Sequence, residues 1–92
     1  MPGVFLYTLA VTTRYFKVDR SEIGYLRFII ESYEGLATIS TMDAKNGIVS
    51  LSVPDSFAEE ADRLVEALRS EMVITEIPFP GSLPDPAERP EN

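Results

Sequence analysis

The chain alternates between β-prone stretches and stretches in which apolar residues recur every three or four positions. The first extended stretch is Val4–Val18, rich in Val, Phe, Tyr and Thr. Its parity changes midway. Phe5, Tyr7, Leu9 and Val11 share one face, whereas Phe16 and Val18 fall on the other. One extra residue near Thr12, Thr13 and Arg14 reconciles them, so a bulge or a break into two strands is expected there. Asp19-Arg20-Ser21-Glu22 then reads as a helix start. Asp19 is placed to accept from the N–H three residues on, and Glu22 to reach back. Ile23, Leu26, Ile30 and Tyr33, with Ile29 beside them, form an apolar stripe, and Arg27, Glu31 and Glu34 fall largely opposite. Gly35 stops this helix in a left-handed conformation. Gly24 inside it costs about 1 kcal/mol relative to alanine. A close approach to a strand is the expected reason for it.

Asn46-Gly47 joins two β-prone runs, Leu36–Asp43 and Ile48–Val53, which is the strongest short-range signal for a hairpin. A three-residue loop, Lys45-Asn46-Gly47 with Gly47 left-handed, puts Ala37, Ile39, Thr41, Val49, Leu51 and Val53 on one face. It pairs Ser40 with Ser52 on the other. A two- or four-residue loop mixes the faces, and the reversed register brings Ile39 and Ile48 to the surface opposite. Pro54 ends the second run. Ser56-Phe57-Ala58-Glu59 reads as another capping box, followed by the stripe Phe57, Ala61, Leu64, Val65 and Leu68. Glu59, Glu60, Asp62, Glu66 and Arg69 face mostly solvent. Val73–Ile77 reads as the last strand, closed by Pro78, and four of the residues from Pro80 to Pro90 are proline.

The resulting β-α-β-β-α-β order resembles the ferredoxin-like fold, an α+β sandwich of a four-stranded antiparallel sheet with two helices on one face. Residues 1–79 are expected to form this single domain. Residues 1–14 are an N-terminal extension that can supply an extra strand, and residues 80–92 form a proline-rich, disordered tail. Ninety-two residues leave no room for a second domain.

Composition narrows the function more than it names it. With no cysteine and no histidine, the chain has no thiolate ligand and lacks the commonest general base and transition-metal ligand. No calcium-loop spacing is present, so no cofactor is expected. The net charge is −7, and 12 acids against 7 bases remain when the tail is set aside. Such a body does not suit a phosphate backbone, and no nucleic-acid partner is expected. The longest apolar run, Val4–Val11, is too short for a bilayer span of about 20 residues. It lacks the basic flank of a signal peptide, so a cytoplasmic protein with no membrane partner is expected.

No catalytic constellation emerges. Glu31 and Glu34 lie one turn apart on the solvated side of their helix, whereas a catalytic pair needs burial. Thr38, Ser40, Thr41, Ser50 and Ser52 are hydroxyls on a sheet surface with no histidine to activate them. Related versions of the fold fail on their residues. A ferredoxin or heavy-metal carrier needs cysteines. An acylphosphatase-like anion loop needs glycines around Arg20. An RNA-recognition motif needs aromatics in the third strand, where Gly47–Val53 has none. Tyr15 and Phe16 match that motif only partly, and core packing accounts for them.

Three segments together resemble a bacterial family of domains of unknown function, the one numbered 4911. They are Tyr15–Asp19, Ile23–Gly35, and Thr41-Met42-Asp43 with Gly47–Val53. Tyr33-Glu34-Gly35-Leu36-Ala37 followed by Met42-Asp43 is its most specific motif here. The resemblance spans about Tyr15 to Pro78 and implies no activity, ligand or site residue. Two expectations therefore stand. The first is a non-enzymatic interaction module that self-associates or joins another protein, with Val4–Val11 able to add to a partner's sheet. The second is a small-molecule sensor resembling amino-acid-binding regulatory domains, with the ligand near Asp19, Arg20 and Ser21. Helix capping and surface charge account for those three residues more simply.

Overall fold

The structure is a computed structural model and describes residues 10–81. Four strands, β1 (Val11–Val18), β2 (Thr38–Asp43), β3 (Ile48–Pro54) and β4 (Ile74–Ile77), form one sheet in the order β2-β3-β1-β4. Every neighbouring pair is antiparallel. Helices α1 (Ile23–Ser32) and α2 (Ala58–Leu68) cover one side. This is the ferredoxin-like arrangement that the element order implies. The sequence positions at which residues 4–9 and the tail from residue 82 were expected to form a strand and a disordered segment lie outside the described residues.

The core is the inward parity of the sheet closed by two helical stripes. Phe16 and Val18, Ile39, Val49, Leu51 and Val53, and Ile74 pack against Leu26 and Ile30 of α1 and Ala61, Val65 and Leu68 of α2. The two stripes are shorter than expected at their ends. Tyr33 caps the end of α1 and is half exposed, and Phe57 precedes α2 and is also exposed.

The bulge expected near Thr12–Arg14 is absent. β1 pairs with β3 without interruption from Val11 opposite Pro54 to Lys17 opposite Ile48. Within the described strand no extra residue is inserted. Thr12 and Arg14 occupy the helix-facing side, where each finds carboxylates. Thr12 Oγ1 donates to Asp55 (3.0 Å), and Arg14 donates to Asp62 of α2 (2.6 Å) and through two nitrogens to Glu76 of β4 (2.9 and 3.0 Å). The Arg14 guanidinium also lies over the Phe16 ring, 5.3 Å from its centroid. One partly buried cation thus ties β1, β4 and α2 together. The hydrogen bond from Arg14 is the main reason the Glu76 carboxyl is held below its ordinary pKa.

The hairpin has the expected faces and a different register. Ser40 pairs with Ser50, not Ser52, and Asp43 pairs with Ile48 across a four-residue loop, Ala44–Gly47. A four-residue loop alone would turn Ile39 outward. A bulge at Met42 restores the parity, so Ile39 and Thr41 stand opposite Leu51 and Val49. Gly47 is left-handed, with φ +73°, and Gly35 is too, with φ +81°.

The caps differ from the pattern. Asp19 accepts from Ser21 N–H (2.9 Å) and Ser21 Oγ (2.7 Å), two residues on, and opens a 3₁₀ turn over Arg20–Glu22 that leads into α1. The Glu22 side chain makes no reciprocal bond. Ser56 does not cap α2. It lies inside a second 3₁₀ turn, Asp55–Phe57, which Pro54 starts and which holds no side-chain cap. Gly24 does not approach a strand either, because a Cβ built there meets no atom within 4 Å.

Candidate functional site

Two surfaces follow from this fold. The first is the sheet side that neither described helix covers. Strand parity places Thr13 and Tyr15, Thr38 and Ser40, Ser50 and Ser52, and Thr75 and Ile77 there. Tyr15 is therefore not a core residue. It sits opposite Ser50 and Ile77, half-buried, and its ring meets Phe79 at 5.3 Å between centroids, tilted by 52°. Thr13 Oγ1 and Ser52 Oγ are 3.4 Å apart. The charged positions on this side are Lys17 and Asp43, which share the hairpin end with Ile48 and carry opposite signs. The carboxylates of the described chain otherwise belong to the helices, to their flanking turns and, in Glu76, to the helix-facing side of β4.

The second surface is a cleft of about 740 Å³ where the β1–α1 turn meets the hairpin tip. Lys17, Arg20, Ser21 and Lys45 line it, with Asp19 and Glu22 on the same wall. It is assembled by backbone contact. Val18 N–H donates to Gly47 O (2.8 Å), and Lys17 Nζ donates to Asn46 O (2.6 Å). A Cβ on Gly47 would stand 1.8 Å from Val18 O, so only glycine lets the tip settle there. Asp43 holds the tip from within by accepting from Asn46 N–H (3.1 Å) and Asn46 Nδ2 (2.8 Å). Those bonds, with the Asn46 side chain foremost, lower the Asp43 pKa, and the bonds from Ser21, its hydroxyl foremost, lower that of Asp19.

The sequence candidates separate between these surfaces. Asp19, Arg20 and Ser21 all reach the cleft. Asp19 and Ser21 also cap the turn there, so capping and lining are the same act. Lys45, Asn46 and Lys17 join them through pairing across the sheet, which no local motif announces. Glu31 and Glu34 do not form a site. Glu31 pairs with Arg27 at 3.5 Å on the exposed side of α1, and Glu34 is exposed. Thr38, Ser40, Ser50 and Ser52 lie on the uncovered sheet side, but Thr41 faces the helices and accepts from Arg27 (3.0 Å). Among the described residues no three acidic side chains converge to hold a metal ion. No described helix is long and apolar enough to cross a membrane.

No curated protein and no solved structure matches the chain. A family model does match, the domain of unknown function DUF4911, over residues 16–72. That span begins at Phe16 in β1 and ends at Met72, and takes in both helices, the hairpin and both lefthanded glycines, Gly35 and Gly47. Matched over more than half its length, through both helices and three of the four strands, the chain belongs to the DUF4911 family.

Proposed function

We propose that this chain is a non-catalytic interaction module that pairs with a second copy of itself through the uncovered sheet side. The observation that carries the reading is the distribution of charge. The protein has net charge −7, yet the broad sheet side that no described helix covers presents hydroxyls and apolar groups, with Lys17 and Asp43 of opposite sign at one end. Depletion of charge is the compositional mark of an interface core. Two copies placed sheet to sheet keep their carboxylate-bearing helices on the outside, where mutual repulsion is weakest.

The geometry also sets the strength. Four strands about 4.8 Å apart, rising about 3.3 Å per residue, give a face of roughly 400–500 Å². Two such faces bury about 1,000 Å², the lower limit for a specific interface, so a weak association is expected, taken as a dissociation constant on the order of 10–100 μM. Sedimentation equilibrium over that concentration range is the test. Ser50 stands at the centre of the face, between Tyr15 and Ser40. Ser50→Glu is expected to weaken association by more than about tenfold, while Ala67→Glu on the exposed side of α2 leaves it unchanged. A strict monomer at several hundred micromolar, or equal loss in the two variants, overturns the reading.

A further inference from the structure

The described residues hold seven cationic side chains, and four of them are neutralised locally. Arg14 pairs with Asp62 and Glu76, Arg27 with Glu31, Arg63 with Glu60 and Arg69 with Glu66. The remaining three are Lys17, Arg20 and Lys45, and none has a carboxylate within salt-bridge distance among the described residues. All three line the one cleft between the β1–α1 turn and the hairpin tip. They come from three separate elements, so no local sequence run produces the cluster. In a chain with nearly twice as many acids as bases, leaving three cations without partners in one place is a departure from the pattern of its whole surface.

We propose that this cleft binds a phosphate-bearing small molecule, with Arg20 and Lys45 as its principal contacts and Lys17 as the third charge. Arginine presents a planar fork suited to phosphate oxygens, and lysine supplies a mobile point charge. Lys17 is already oriented, since its ammonium donates to Asn46 O at 2.6 Å and keeps two donors in reserve. The two carboxylates on the wall do not cancel the cluster. Asp19 and Glu22 lower the net charge of the wall, but neither lies within salt-bridge distance of Lys17, Arg20 or Lys45, so these cations keep donors for a ligand. A cleft of about 740 Å³ is larger than an inorganic phosphate needs and lies within the range of small-ligand sites. Val73, which is 80% exposed, gives it an apolar wall for the organic part of the ligand, and Thr75 and Asn46 add polar groups. A carboxylate offers two oxygens to three separate cationic donors and a phosphate monoester offers three, so a phosphate monoester is the better match.

Titration of the ¹⁵N-labelled full chain tests this, with O-phosphoserine, inorganic phosphate, acetate and chloride compared at matched ionic strength. The expected result is saturable shifts of the amides of residues 17–22 and 45–47 with both phosphate probes. The shifts are weaker by roughly tenfold or more with acetate and absent with chloride. Arg20→Gln with Lys45→Gln changes two exposed side chains that take part in no described ion pair, so folding is expected to be retained. The double variant loses phosphate binding by roughly tenfold or more. Shifts that follow ionic strength alone, or phosphate binding that survives the double variant, overturn the proposal. So does binding of a single-stranded RNA oligomer in preference to either phosphate probe.

Discussion

Replacing Gly47 with alanine perturbs the contact on which both the hairpin and the cleft depend. Two separate costs arise. An L-residue at φ +73° costs about 1–2 kcal/mol relative to glycine, reduced by the smaller entropy of the unfolded alanine chain. The new Cβ must also move from 1.8 Å to at least 3.0 Å from Val18 O, and that oxygen belongs to backbone. A shift of this size breaks the bond from Val18 N–H to Gly47 O and the bond from Lys17 Nζ to Asn46 O. Each such bond contributes about 0.5–1.5 kcal/mol. The sum is a destabilisation of roughly 2–4 kcal/mol, out of the 5–14 kcal/mol typical for a chain of this length. Gly35 isolates the first cost. It has φ +81° and no atom within 4 Å of its would-be Cβ, so Gly35→Ala should cost only about 1 kcal/mol. Urea unfolding followed by far-ultraviolet circular dichroism measures both, provided the m-value is unchanged. Equal effects of the two substitutions would refute the claim that the hairpin tip rests on the end of β1.

Three further outcomes follow from the same contacts. Gly24→Ala should stabilise the protein by about 0.5–1 kcal/mol, raising Tm by roughly 3–8 °C in a thermal melt, because the helix gains alanine and its Cβ meets nothing. Arg14→Met should cost about 1–3 kcal/mol, and a double-mutant cycle with Glu76→Gln should show coupling near 1 kcal/mol, held down by the exposure of Glu76. Asp19, Asp43 and Glu76 all have lowered folded pKa values, so their stabilisation is complete above their unfolded pKa values, near 4, and is lost as pH falls through the folded ones. The urea midpoint should therefore fall below about pH 4, and Glu76→Gln should flatten that limb.

The alternation of residues revealed the faces of the sheet but not its register. Ile39, Val49, Leu51 and Val53 are inward whether Ser40 pairs with Ser50 or with Ser52, since a shift of two residues preserves parity. The Met42 bulge leaves no trace in the hydrophobic pattern, because Met42 is itself exposed. Arg14 misled in the opposite way. The parity change between Val11 and Phe16 reads as a bulge or break near Arg14, whereas Arg14 takes an inward position because it finds acceptors 48 and 62 residues away. Ser56 has the residue types of a cap, but Pro54 starts the turn earlier and removes it from the capping position. The cleft was half legible. Asp19, Arg20 and Ser21 are adjacent in sequence, whereas Lys45 reaches them only because the hairpin folds back onto Val18.

Self-association through the uncovered sheet side is tested most directly by amide spectra of the ¹⁵N-labelled chain at about 5 μM and about 1 mM, concentrations that bracket the expected dissociation constant. Concentration-dependent shifts are predicted at Thr13, Tyr15, Ser50, Ser52 and Thr75, with α1 and the exposed side of α2 unchanged. Spectra that superimpose at the two concentrations, or shifts confined to the helices, would contradict the account.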